Sequence, residues 1–239
     1  MSIEREERCY MCNKLVRKYK LRSGEQPPSD MRTRDHIPPD NLFPDGKRSD
    51  LITVICCHDC NKGFSKLDEQ FRVFVTSASN VSEVGKVISR QKVFGGSFKK
   101  SPKLKKQMGR DVFIGTMVTE LGAMSVPLIA MDREVLDGFF TRLTKGLLTM
   151  LYPDINHFTL RYGVVQLNQF GPNHPTFRAV TSILKSDQRG DGIFRFWHGV
   201  ALEKRTTGIW IYQFYDASLF LVKHSEDVWP QTLPSEVLR

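Results

Sequence analysis

Apolar and β-branched residues run without interruption from Leu51 to Cys57, the pattern of a buried strand. Directly after it Phe64, Leu67, Phe71 and Phe74 recur at intervals of three and four, which predicts a helix beginning near Asn61. Upstream, the string TRDHI reads as a short strand, on which Asp35 and His36 leave opposite faces. Between the two strands, residues 37–50 hold three prolines, Gly46 and several Asp or Asn residues and read as a loop. Strand, loop, strand and helix would therefore bring Asp35, His36 and Asn61 together.

Further along, Val81, Val84, Val87 and Ile88 suggest a helix ending near Gly95 and Gly96. Residues 97–110 then carry six basic residues and no acid, as a basic linker or a phosphate-binding arm would. From Asp132, a plausible cap, Val135, Leu136, Phe139, Phe140, Leu143, Leu147 and Leu151 mark an amphipathic helix that Pro153 ends. Five short runs follow, at 158–167, 177–184, 192–202, 208–215 and 218–223, rich in aromatic or β-branched residues and separated by turn signals such as GPNHP and RGDG. They predict an antiparallel sheet packed on helices. The expected fold class is α+β, with a strand–loop–strand–helix module at 1–96, a basic linker at 97–110 and a helix-plus-sheet domain at 111–239. His157, His174, His198 and His224 lack ligand spacing and read as ordinary histidines. Trp197, Trp210 and Tyr212, on alternating strands, read as core more readily than as base-stacking rings.

Composition narrows the class. With 239 residues, 40% of them hydrophobic and 26% charged, the chain can bury a core, which excludes global disorder and collagen-like repeats. The longest uncharged apolar stretch, Leu121 to Met131, is interrupted by Pro127 and falls well short of the roughly 20 residues that span a bilayer. No membrane association is expected, and a charged N-terminus without an apolar segment suggests a cytoplasmic protein. Charge is uneven: residues 1–110 hold 23 Lys or Arg against 13 Asp or Glu, whereas residues 111–239 hold 12 against 13. One half of the chain is thus suited to a polyanion, and DNA is the expected partner.

All five cysteines lie in the first quarter. Cys9 with Cys12, and Cys57 with Cys60, have the C-x-x-C spacing of zinc knuckles, and two such pairs complete a tetrahedral structural site. Cys56 is left over and reads as a small core residue.

In TRDHIPP, NLFP and LITVICCHDCN the sequence resembles the HNH endonucleases of the ββα-metal type, in the subgroup with zinc knuckles flanking the active site and an Asn after the last cysteine. The resemblance covers residues 9 to about 72. It implies a structural Zn²⁺ on Cys9, Cys12, Cys57 and Cys60, His36 as general base on water, and a catalytic Mg²⁺ or other divalent cation on Asp35 and Asn61. Arg34, Lys62, Lys66 and Arg72 would meet flanking phosphates, and Asp68, on a similar helix face to Asn61, would assist at longer range. The family's middle Asn, which braces the loop behind the catalytic His, falls at Asp50. An ionised Asp accepts hydrogen bonds but donates none, so Asp50 either weakens that brace or serves as an additional metal ligand. Two rivals stand beside the nuclease: a non-catalytic zinc-knuckle protein that binds nucleic acid, and a partner-gated effector subunit such as a bacterial or phage defence component. The C-terminal domain would then select the target, a protein partner or a second copy.

Overall fold

The uninterrupted apolar run becomes strand β2, Ile52–Cys57, paired antiparallel with β1, Arg32–Ile37. Register sets Asp35 opposite Val54 and His36 opposite Thr53. Strand alternation sends Asp35 inward, only 2% exposed, while His36 stays half-buried on the other face. Helix α1, His58–Val75, follows β2 directly and starts three residues earlier than its apolar spacing predicts. Cys60 and Asn61 therefore lie in its first turn. The loop between the strands contains a 3-10 turn, Asp40–Leu42.

The computed structural model describes residues 6–48, 50–78, 81–119, 122–167 and 174–227. Past α1 the chain stays helical for longer than the glycines at 95 and 96 suggest. Helix α2, Glu83–Ile88, runs into a π-helical segment, Ser89–Ser97, then α3, Phe98–Lys100, and α4, Pro102–Arg110. The basic stretch expected as a linker is thus folded. Ser101 Oγ caps α4 by accepting the Leu104 amide, and Pro102 supplies the first turn. Leu104 and Met108 pack with Val73 and Val93, which leaves Lys103, Lys105, Lys106 and Arg110 exposed on the opposite side.

Strands β3, Val112–Thr119, and β4, Gly122–Ile129, form a hairpin that apolar periodicity did not reveal. Helix α5, Arg133–Leu151, is where its spacing placed it, and Asp132 Oδ1 caps it on the Glu134 amide. A five-stranded antiparallel sheet completes the α+β fold, in the order β5 (Arg161–Gln166), β9 (Ser218–Ser225), β8 (Gly208–Phe214), β7 (Phe194–Val200) and β6 (Lys185–Arg189). Two features depart from expectation. The run at 177–184 is no strand but the end of helix α6, Pro175–Ser182, whose first turn Pro175 presets and whose His174 ring accepts the Thr176 amide. The GPNHP turn signal ahead of it lies partly outside the described residues. Strand β6, KSDQR, is an edge strand with no apolar alternation to betray it.

One core links the two halves. Phe71 of α1 stacks on Phe139 of α5 at 3.6 Å between centroids and meets Phe140, Phe214 and Phe220 edge-on or tilted. A continuous buried cluster reaches from Cys9 through Ile37 and Phe71 to Tyr212 and Val222, so the packing shows no seam at the expected domain boundary. Trp210 and Tyr212 are fully buried, and Trp197 packs on Phe177 from the other face of the sheet, so none of the three is a free stacking platform. The histidines are structural too. His198 Nδ1 pairs with the Tyr152 hydroxyl at 2.8 Å, and His224, whose pKa burial pushes down to about 4, accepts from Trp210 Nε1.

Helix α5 approaches β1 and α1 closely because two of its positions lack a side chain. A Cβ at Gly146 would stand 2.6 Å from Ile37 Cγ1, and one at Gly138 would stand 2.7 Å from Leu67 Cδ1. These glycines lie four residues either side of Arg142, on one helical face. In an exposed helix, Gly→Ala stabilises by about 1 kcal/mol. Here Gly146→Ala should lower the melting temperature, because overpacking a filled contact costs about 1–3 kcal/mol. A raised melting temperature would mean that the α5–β1 contact has slack.

Candidate active site and metal centre

Cys9 and Cys12 sit on the N-terminal turn, Cys57 ends β2, and Cys60 lies in the first turn of α1, so the β2–α1 junction carries both cysteines of the second pair to the first. The four sulfurs lie within 4.8 Å of one another, and Cys12 Sγ and Cys57 Sγ are 3.7 Å apart. A tetrahedral zinc with Zn–S bonds of about 2.3 Å needs sulfurs about 3.8 Å apart, so this donor set fits a zinc ion. Cys56 is outside the four, fully buried, although its sulfur is 3.7 Å from that of Cys9.

Tyr10, between the first two cysteines, links this cluster to the strand beside it. Its amide donates to Ile55 O, its carbonyl accepts from His157 Nε2 at 2.7 Å, and its buried hydroxyl donates to Asp35 Oδ2 at 2.5 Å. Burial and the adjacent Asp35 carboxylate both hold the Tyr10 phenol well above its usual pKa. It therefore stays a donor.

Asp35, His36 and Asn61 line a single cleft of about 280 Å³, as the strand–loop–strand–helix reading expected. Arg34, Asp68 and Arg142 share its walls. Asn61 Nδ2 points to Thr33 Oγ1 at 3.2 Å and to Arg34 O at 3.4 Å, which ties the start of α1 to β1. Its amide oxygen has no protein donor among the described residues. Asn41, also on the cleft wall, has a buried Oδ1 likewise without a donor there.

The residue that sequence patterning missed is Arg142. From α5 its Nε donates to Asp35 Oδ2 at 2.9 Å, one terminal nitrogen to Asp35 Oδ1, and the other to Asp68 Oδ1. Its guanidinium lies 4.3 Å from the Phe64 ring centroid, so Phe64 serves the site as well as the core. Asp68 is buried, and desolvation pushes its pKa up to about 6 against the pull of Arg142. The available signal was an arginine inside the apolar stripe of α5, flanked by glycines at four residues on either side.

Two expectations are corrected. Arg72 is buried and donates to Ser97 Oγ at 2.6 Å, so it faces the interior and not a phosphate. Asp50 is absent from the cleft lining, and both of its oxygens accept the Gly190 amide at 3.0 Å, which excludes it as a cleft metal ligand. The brace it makes runs to the turn between β6 and β7, reinforced by Lys47–Asp191 at 2.6 Å and by the Tyr215 hydroxyl on Leu42 O. Arg34, Lys62 and Lys66 are exposed, as contact with phosphate requires.

For a catalytic cation the donor chemistry also fits. A carboxylate offers about four lone-pair sites, and Asp35 has three engaged, two on Oδ2 and one on Oδ1. One Oδ1 site is left; it and the amide oxygen of Asn61, which lines the same cleft, are hard oxygen donors of the kind Mg²⁺ takes.

Comparison with family models, with curated proteins and with solved structures finds no match to this chain. No helix among the described residues is long and apolar enough to cross a membrane.

The purified protein should carry one zinc per chain by elemental analysis. Cys57→Ser should lose it and melt lower, while Cys56→Ser should keep it. Zinc retained in Cys57→Ser and lost in Cys56→Ser would reassign the fourth ligand.

Proposed function

We propose that this chain is a metal-dependent endonuclease of the HNH type that hydrolyses phosphodiester bonds in DNA, with Zn²⁺ holding the four cysteines. The observation that carries the reading is the convergence of Asp35, His36 and Asn61 on one cleft, immediately beside a four-thiol cluster. Each residue is suited to its task. His36, half-buried at the cleft, accepts the proton of the attacking water through a ring nitrogen. Asp35 and Asn61 would hold the divalent cation, which when bound stabilises negative charge on the phosphate and the leaving oxygen. Arg34 at the rim and Lys62 and Lys66 on α1 orient the backbone by charge. The exposed lysines of α4, fixed in place by Leu104 and Met108, offer a second phosphate-binding stretch.

Supercoiled plasmid, branched DNA and single-stranded DNA should be offered with Mg²⁺, Mn²⁺ or Ni²⁺ to the natural chain and to His36→Ala. Loss of a general base costs about 10²–10⁴ in rate, so the variant should be nearly inert with its zinc content unchanged. Equal cleavage by both would remove His36 from the mechanism. Binding without cleavage by the natural chain in every cation would favour the non-catalytic reading.

A further inference from the structure

We infer that Arg142 is a positioning residue: its guanidinium fork fixes the Asp35 carboxylate so that one Oδ1 lone pair faces a divalent cation, and the C-terminal half of the chain thereby completes the cleft. This rests on the nuclease reading and adds to it a residue from outside the 9–72 span that carries the family resemblance.

Three observations support it. Asp35 receives hydrogen bonds from two sides, Tyr10 of the zinc knuckle and Arg142 of α5, and their three bonds leave a single acceptor site. The arginine itself is immobilised. Asp68 takes its other terminal nitrogen, Phe64 lies against its plane, and glycines one turn above and below seat α5 on Ile37 and Leu67. Charge is also suited to the task. With its carboxylates ionised, the cleft wall carries three acids, Asp35, Asp40 and Asp68, and two guanidiniums, Arg34 and Arg142, a balance of one negative charge that attracts a cation, while Asp35 and Asp68 are held by Arg142 and do not rotate freely. Lysine would keep the charge and lose the planar fork. Carboxylates and other ligands held by such outer partners typically lose 10–100-fold in metal affinity or activity when the partner is removed.

The test measures cleavage of plasmid against Mn²⁺ concentration, and Mn²⁺ binding by the paramagnetic resonance of the free ion, in the natural chain, Arg142→Lys and Tyr10→Phe. Zinc content and melting curves establish that each is folded. Arg142→Lys should need about 10–100-fold more Mn²⁺ for half-maximal rate, with much of the rate regained at saturation. Tyr10→Phe, which deletes one bond to Asp35 and no charge, should shift the same midpoint by less, and it serves alone if Arg142→Lys fails to fold. An unchanged midpoint in folded variants overturns the inference. So does a lowered one, which would make Arg142 a plug that keeps the cation out. A natural chain that cleaves beside unaffected variants refutes only the positioning role, whereas one that neither cleaves nor binds Mn²⁺ refutes the nuclease reading and this inference together. If it binds Mn²⁺ without cleaving, the binding midpoints decide.

Discussion

A carboxylate only 2% exposed, as that of Asp35 is, survives folding only if its charge and its lone pairs are answered. Tyr10 answers from the zinc knuckle and Arg142 from α5, so the one side chain is held by the N-terminal turn and by the C-terminal half of the chain. Removing one partner of a buried pair of this kind leaves an uncompensated charge and costs about 3–5 kcal/mol. Much of the remaining structure serves to keep that pair in place. The glycines of α5 let the helix come near enough, the Phe71–Phe139 stack fixes its distance from α1, and the Tyr10 amide, bonded to Ile55 O, holds that residue against β2.

The same constraint is in keeping with a main core that spans both halves of the chain. Had the first hundred residues formed an independent module, the loop behind His36 would need its own internal brace. Asp50 cannot donate when ionised, and its two oxygens turn outward to the amide of Gly190. Tyr215, from the C-terminal half, donates to the carbonyl of Leu42 in the same loop, and Lys92 adds a bond from nearer in the chain to that of Phe43. A residue that looks like a defect when its module is considered alone is a fastening point once the β6–β7 turn is beside it.

What could be read from the sequence follows from how local each signal is. The cysteine spacing, the TRDHIPP strand and loop, and the capped helix from Asp132 depend on neighbours within a few residues, and all lie where the patterns place them. The apolar residues of α6 suit a strand equally well, and only His174 and Pro175 ahead of them mark a helix start. Arg142, Tyr10 and the Asp50–Gly190 contact join positions 25 to 140 residues apart, where spacing carries no information. The faint trace they left was a charged residue within an apolar stripe between two glycines.

The most direct measurement is anomalous diffraction from crystals of the protein grown with Mn²⁺, collected at the zinc and manganese edges. The expected maps place zinc among the sulfurs of Cys9, Cys12, Cys57 and Cys60, and manganese between Asp35 Oδ1 and Asn61 with Arg142 still forked on Asp35. Manganese absent from the cleft at saturating concentration, or bound there only with Arg142 swung off Asp35, would contradict the central claim that this arginine prepares the carboxylate for a cation.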